Sequence, residues 1–321
     1  MVLSEFSLIQ RYFSQGTAQR ADVRLGVGDD AALLLVPDGC ELVMSLDTLV
    51  SGIHFPDDAA PADIAHKTLA VNLSDMAAMG AEPAWMMLAL TLPEVNEAWL
   101  EQFSQGMRQL ANEYGVTLVG GDTTRGPLTI SVQISGLVPA GQALQRRGAQ
   151  PGDRIYVTGQ LGDAAVGLQL AQGRCQLDID DVQRDYFLRR LHRPRPQVAA
   201  GVALRGLASA AIDISDGLIA DLGHVLEMSG VGASLDVDQL PVAAVVRKTP
   251  EWWRLPLTAG DDYELCFTVT PGFAAQAEQR LRQLACPCVC IGTIDTGLGL
   301  RLTCQGREID TQQLQGYRHF G

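Results

Sequence analysis

Lysine is almost missing from this chain. Only Lys67 and Lys248 occur among 321 residues, so nearly all positive charge is arginine. No Gly-Lys dipeptide exists, which excludes a Walker A loop and its phosphate-cradling lysine. A positive balance is lacking too: 24 basic against 37 acidic side chains leave a net charge of −13. That argues against nucleic acid or an anionic membrane surface as partner. It leaves phosphate ligands open, because bound divalent cations invert the local field. No apolar run reaches transmembrane length, and the start, "MVLSEFSLIQRYF", carries Glu5 and amphipathic spacing in place of a signal-peptide core. The seven cysteines are odd in number and scattered. Cys286, Cys288 and Cys290 alternate in "CPCVC", which reads as small reduced residues on one strand face; a zinc site would favour Cys-x-x-Cys pairs. These absences together fit a soluble protein of the reducing cytoplasm.

What is present describes a globular chain, with 47% hydrophobic and 19% charged residues. The length suggests about two domains. The turn-rich segment 140–153, "AGQALQRRGAQPGD", is the boundary candidate, giving domains 1–139 and 150–321. In the first, the patterning predicts a helix over 4–14 and two strands within 31–50 joined at Pro37-Asp38-Gly39. It further predicts a helix from Asp63 to Met79, a strand in "AWMMLALTLP" and a helix over 95–114. A strand "VTLVGGD" should end in a glycine turn, and "PLTISVQISGLVP" reads as a long alternating strand. In the second domain, "RIYVTG" reads as a strand, "LGDAAVGLQLAQ" as a helix and "AAIDISDGLIADLGHVLEMSG" as strand, tight turn and helix. "DDYELCFTV" reads as a strand and 273–284 as a helix. Hairpins mixed with helices imply layered α+β / α/β domains.

One segment is anomalous. In "TLAVNLSDMAAMGAEP" Asp75 sits in a helix of otherwise apolar residues, where an uncompensated carboxylate is costly. At helical spacing Thr68, Asn72 and Asp75 share a face, a narrow polar stripe. A hydrogen-bonded structural Asp and a metal or phosphate ligand are the two readings. Four further acidic segments bear on the choice. "GVGDDAALL" places Asp29 and Asp30 before a strand, and "SLDTLVSGIHF" carries Ser45, Asp47 and Thr48. "VGGDTTRG" places Asp122 after a double glycine, and "AIDISDGL" sets Asp213, Ser215 and Asp216 at a strand end. Helix capping suits Asp216 but not Asp30, Asp47 or Asp122, which adjoin strands. So many carboxylates could share a site only with cations, and hard divalent ions with oxygen ligands and substrate phosphates meet that need. No EF-hand spacing is present, and "GVGDDA" precedes a strand, which removes the dinucleotide fingerprint. Arg146, Arg147 and Arg125 are the candidate phosphate-side cations, with a solvated surface role the simpler reading for Arg125 and Arg147. No Ser-His-Asp or Cys-His set stands out. Composition and spacing reach a soluble phosphate enzyme using divalent metal.

Taken together, "GVGDDAAL", "SLDTLVSGIHF", "VNLSDMAAMGAEP", "LVGGDTTRG", "AIDISDGL", "TAGDDYELCF" and the terminal "GYRHF" resemble the thiamine-monophosphate kinase family over nearly the whole chain. The SDG turn alone resembles the wider aminoimidazole ribonucleotide synthetase-like superfamily. Selenophosphate synthetases carry a reactive Cys or selenocysteine near the N-terminus, whereas the first Cys here is Cys40, on a strand. The resemblance implies a two-domain PurM-like fold, an N-terminal sheet that pairs with a second subunit in a homodimer, and ATP-dependent phosphorylation of thiamine monophosphate to thiamine diphosphate. It implies several Mg²⁺ ions held by Asp30, Ser45, Asp47, Asp75, Asp122, Asp213 and Asp216, with Asp30, Asp75, Asp122 and Asp213 at the centre of catalysis. Gly121, Asp122, Arg146 and Ser215 are implied as nucleotide contacts, and His54, Glu264 and Tyr317 as thiamine-side contacts. The family often has Trp where Tyr317 stands. Competing readings are another ATP-using member of the superfamily, a metal-dependent phosphohydrolase and a noncatalytic binding module.

Overall fold

A computed structural model describes residues 5–14, 16–310, 314, 316 and 317. Residue 4 of the expected first helix, and Arg318–Phe320 of "GYRHF", lie outside the described residues. The chain divides into two compact units, one of Met1–Met76 with Ala81–Gly141, the other of Ala77–Gly80 with Gln142–Gly321. The elements of the first are α1 (Glu5–Tyr12), β1 (Val23–Leu25), β2 (Leu33–Leu34), β3 (Cys40–Val50), α2 (Pro61–Ala78), β4 (Glu82–Leu92), α3 (Glu97–Glu113), β5 (Thr117–Arg125) and β6 (Thr129–Pro139).

Four of these strands form a sheet in the order β3-β6-β4-β5, with β4 and β5 parallel and the other pairs antiparallel. Alternation along β3 sends Val43, Ser45 and Asp47 to one face and Leu42, Met44 and Leu46 to the other. Helix α2 covers the first face; a Cβ at Gly136, the partner of Val43, would meet Met76 Sδ at 2.8 Å. The helix ends as its sequence predicts. Gly80 takes φ 61°, and the Ala81 N–H reaches back to the Met76 carbonyl at 2.8 Å, closing the last turn. Helix α3 starts at Asn96, whose side chain accepts from the Trp99 N–H, and buries Leu100, Phe103, Met107 and Leu110.

Two expectations for this unit need correction. The strands within 31–50 exist, but they do not pair with each other. The first is only Leu33–Leu34 and pairs with β1 in a separate two-stranded sheet. The glycines of "VGGDTTRG" do not end their strand either: β5 runs on through Asp122 to Arg125. The register shifts at Gly120, and Gly121 takes φ 154° with its ideal Cβ 1.9 Å from the Leu88 carbonyl oxygen. Glycine here lets the backbone approach β4 through an irregularity while the ladder continues.

The second unit holds β7 (Arg154–Thr158), α4 (Asp163–Ala171), α5 (Asp181–His192), α6 (Val198–Leu204), β8 (Ala208–Asp213), α7 (Leu218–Ser229), β9 (Gly232–Asp236), α8 (Arg254–Thr258), β10 (Leu265–Val269), α9 (Pro271–Gln283), β11 (Cys288–Asp295), β12 (Gly299–Cys304) and β13 (Arg307–Ile309). Its seven-stranded sheet runs β13-β12-β9-β11-β7-β10-β8, mostly antiparallel with β12 and β9 parallel. Ile155, Val157, Ile212, Leu222, Leu235 and Ile291 lie in one buried cluster against α7. Removing such side chains from water contributes about 1.5–3 kcal/mol each. The expected strand "DDYELCFTV" begins four residues late, at Leu265, because Asp261 and Tyr263 adopt φ of 70° and 51°. No helix among the described residues is long and apolar enough to cross a membrane.

Candidate functional site

In the first unit, β3 and α2 bring three of the expected residues together. Ser45 and Asp47 stand two apart on the face that α2 covers, and the Ser45 hydroxyl donates to Asp75 Oδ2. The rest of the polar stripe is satisfied locally. Thr68 Oγ1 donates to the Ile64 carbonyl at 2.7 Å and Asn72 Nδ2 to the Thr68 carbonyl at 3.0 Å, both on buried residues. Asn72 Oδ1 is buried with no hydrogen-bond partner. Asp75 differs from Thr68 and Asn72: it is half-buried and reaches off its own helix.

Asp122 of this unit stands apart from them. Asp47 shares a row with Val132, Leu88 and Gly121, whereas Asp122 shares the next row with Ala89, Ser131 and Thr48. Adjacent rows face opposite sides of a sheet, and the two aspartates lie on opposite edge strands. Three strand spacings of about 4.8 Å each separate those edges. Asp30 is exposed in the bend before β2. His54 closes a turn at the end of β3, where its Nδ1 accepts the Val50 N–H at 3.0 Å. In the neutral imidazole that bond leaves the proton on Nε2.

In the second unit the centre is the turn between β8 and α7. Asp213 is buried at the strand end, and Ser215 and Asp216 follow, half-buried. Asp221, from the first turn of α7, points back: its Oδ2 accepts the N–H groups of both Ser215 and Asp216 at 3.0 Å. Burial, then the neighbouring Asp213, push the Asp221 carboxyl up to about 7. The loop 259–264 crosses the same turn, and Tyr317 donates its N–H to the Asp216 carbonyl at 2.9 Å. The Tyr317 ring is half exposed. Arg146 is exposed on the segment leading into this unit.

Glu264 lies in a buried charge network. Its Oε1 accepts from Arg190 Nη2 at 3.0 Å, and its Oε2 from Thr158 Oγ1 at 2.8 Å and Gln197 Nε2 at 2.9 Å. Gly159 leaves the room, since a Cβ there would lie 2.2 Å from Glu264 Oε1. Arg190 also stands 4.0 Å from Asp163 Oδ2, which accepts the Tyr186 hydroxyl at 2.5 Å. Asp262 completes the group; its Oδ2 accepts the Gly162 N–H at 2.7 Å. Burial pushes its carboxyl up to about 8, with Gly162 and Arg190 opposing and Asp163 and Glu264 adding to the rise. Burial likewise raises Asp163 and Glu264, against hydrogen bonds from Tyr186 and the charge of Arg190.

Sequence reasoning missed Asp221, Arg190, Gln197, Thr158, Asp163 and Asp262. A faint signal existed for one: Asp221 stands five residues after Asp216, within reach-back distance of a helix start. The Glu264 network joins residues 158 to 264 and carries no local pattern.

Among the described residues no group of three His, Cys, Asp or Glu side chains is gathered as a metal site. The donors nevertheless fit Mg²⁺. Ser45 with Asp75, and Asp213 with Asp216, supply hard oxygens in small sets, and Mg²⁺ is commonly held by one or two carboxylates plus substrate phosphates.

Residues 28–138 match the family of AIR synthase related protein, N-terminal domain, and residues 150–305 its C-terminal domain. A thiamine-monophosphate kinase of Salmonella typhimurium is 50% identical over 324 residues, covering 100% of this chain and 99% of that protein. The crystal structure of the thiamine-monophosphate kinase from Stenotrophomonas maltophilia K279a is 46% identical, covers 96% of this chain and 99% of its own, and superposes with a TM-score of 0.85. The structure of AaThiL complexed with AMPPCP and TMP is 26% identical, covers 99% and 97%, and superposes with a TM-score of 0.77.

Proposed function

The chain belongs to the thiamine-monophosphate kinase family, with the two-domain PurM-like fold, and from that premise we propose that it transfers the γ-phosphoryl group of ATP to thiamine monophosphate, giving ADP and thiamine diphosphate. The observation that carries the reading is the oxygen-donor set of Ser45 and Asp47 on one sheet face with Asp75 on the helix that covers it. AMPPCP and TMP in the AaThiL structure support the substrate pair.

The acceptor oxygen belongs to a phosphate already ionised at neutral pH, so the reaction needs no strong general base. It needs in-line positioning and charge neutralisation. Mg²⁺ ions, when bound, supply that neutralisation between two polyanions. Asp30, Ser45, Asp47, Asp75 and Asp122 of the first unit, and Asp213 and Asp216 of the second, are the proposed ligands. Asp47 and Asp122 stand on opposite edge strands, which favours several ions over one. The Ser45 hydroxyl donates to the Asp75 carboxylate from off α2, which supports a ligand role for the carboxylate on that helix. Gly121, Asp122, Arg146 and Ser215 are proposed nucleotide contacts.

For the thiamine side, His54 at the end of β3 and the half-exposed ring of Tyr317 are the proposed contacts. Glu264 is 2% exposed with both oxygens engaged, so its proposed part is to fix the charge of that region through Arg190. The open face of the four-stranded sheet shows Leu42, Met44 and Leu46 at 44%, 61% and 63% exposure, and a second copy of the chain covering it as a homodimer is part of this reading.

The test is to incubate the protein with ATP, Mg²⁺ and thiamine monophosphate and separate the products by chromatography. Thiamine diphosphate and ADP should appear together and vanish with chelator. ADP alone would redirect the search to another acceptor, and neither product from a folded protein would turn the reading toward a binding module.

A further inference from the structure

The backbone of Ile214, Ser215 and Asp216, in the turn between β8 and α7, is fully accounted for. Ile214 donates to the Glu264 carbonyl at 2.8 Å and accepts from the Tyr263 N–H at 2.8 Å. Ser215 and Asp216 donate to Asp221 Oδ2 at 3.0 Å. Their carbonyls accept from the Asp261 N–H and the Tyr317 N–H, both at 2.9 Å. Every N–H and C=O of the three residues therefore has a partner, as buried backbone requires. Four of the six bonds are to main chain. Asp221 is the single side chain, and it serves two amides at once.

The alternative use of such a carboxylate is to cap its own helix. That is not what occurs. The residue at the N-cap of α7 is Gly217, which offers no side-chain cap, and the two amides Asp221 holds precede it. Two successive N–H groups aimed at one point form an anion-binding concavity of the kind that often takes a phosphate oxygen. Here the protein's own carboxylate fills it. The close approach on the opposite side is equally specific: a Cβ at Gly260 would lie 2.1 Å from the Ser215 carbonyl oxygen.

We infer that Asp221 is a positioning residue: its carboxylate occupies the amide pair of Ser215 and Asp216 and fixes the direction in which the turn presents the side chains of Asp213, Ser215 and Asp216. Two consequences follow. Ser215 meets nucleotide through its hydroxyl, because its amide is already engaged. And the metal affinity of the turn depends on a residue that does not itself ligate. This rests on the functional reading above for its metal consequence, but not for its geometry.

The deciding measurements are residue-resolved amide hydrogen exchange on the metal-free protein and the Mg²⁺ dependence of thiamine diphosphate formation. In the wild type the Ser215 and Asp216 amides should be protected. Asp221→Ala should expose both to exchange and raise the half-saturating Mg²⁺ by about 10–100-fold, the usual effect of losing an outer-shell partner. Asp221→Asn keeps an oxygen that accepts the same two N–H groups, and should restore protection and Mg²⁺ response to within a few-fold. Wild-type amides that exchange at open-loop rates would overturn the inference without any variant, which covers the case of an Asp221→Ala protein that does not fold. So would Asp221→Asn that keeps both amides protected yet matches the Mg²⁺ defect of Asp221→Ala, since the charge would then be acting as a ligand. If the wild type makes no thiamine diphosphate, the functional reading fails, and the exchange data still decide the geometry.

Discussion

Arg190 offers the sharpest test of the charge network in the second unit. Its guanidinium is 15% exposed and faces three carboxylates, Asp163, Asp262 and Glu264, of which none is more than 2% exposed. It contacts Glu264 directly at 3.0 Å and lies 4.0 Å from Asp163. Arg190→Met keeps much of the apolar stem and deletes the charge. Removing one partner of a buried pair costs about 3–5 kcal/mol, because the remaining charge is left uncompensated. The cost should depend on pH, and the sign can be worked out. Burial already raises all three carboxyls above their ordinary values, and losing the cation raises them further. Where the folded state holds more protons than the unfolded, stability falls as pH rises. The deficit should therefore be small at low pH, where the carboxyls are protonated in both proteins, and grow as pH rises through their raised values. Denaturant unfolding of both proteins at pH 5.5, 7 and 8.5 reads it directly. A deficit equal at all three values, or none at any, would refute the assignment of Arg190 as the compensating charge.

Three further outcomes follow from the same geometry. Asp262→Asn retains an acceptor for the Gly162 N–H and removes a carboxyl raised from 3.8 to about 8, so between those values the variant should lose less stability than the wild type as pH rises; thermal unfolding across pH 5–9 compares the two slopes. The full contribution is on the order of 6 kcal/mol, from about 1.4 kcal/mol for each pH unit of displacement. Asp75→Asn should fold with unchanged circular dichroism and lose turnover by about 100-fold or more, in keeping with the several kcal/mol a bound cation supplies; an unfolded variant would restore the purely structural reading. Met44→Asp, in the open sheet face, should halve the mass seen by light scattering, and a wild type already monomeric at working concentration would remove the dimer.

Sequence pattern reached the long, strongly periodic elements because their burial is one-sided. β6 alternates along its length except at Ser135, and α3 buries Leu100, Phe103, Met107 and Leu110 along one stripe. It missed α5, whose buried residues are only Phe187 and Leu191, a stripe too thin to give a period. The local cue there was Asp180 with Gln183, which forms a capping box. It misread "VGGDTTRG" because a double glycine is usually punctuation; close approach to Leu88 explains Gly121, and that neighbour is over thirty residues away. Among candidate site residues, the acidic turns drew notice because Asp30, Asp47 and Asp122 adjoin strands, where helix capping does not account for a carboxylate. The partners that hold Glu264 and the turn at Asp216 were not, because Thr158, Arg190 and Gln197 are ordinary residues made significant only by folding.

The strand order of the second sheet has a bearing on how the protein is made. β7 is the first strand of its unit to leave the ribosome, and it lies in the interior of the sheet, between β10 and β11. Four of its five residues are buried in the finished protein. Neither neighbour exists until roughly 100 more residues have been synthesised, which at about 5–20 residues per second leaves an apolar strand with two open edges for some 5–20 s. The unit cannot close stepwise from its start. It must wait for the chain to reach Cys288–Asp295, so nascent chains that stall or terminate before β11 are the species that chaperones must hold and that aggregation will claim.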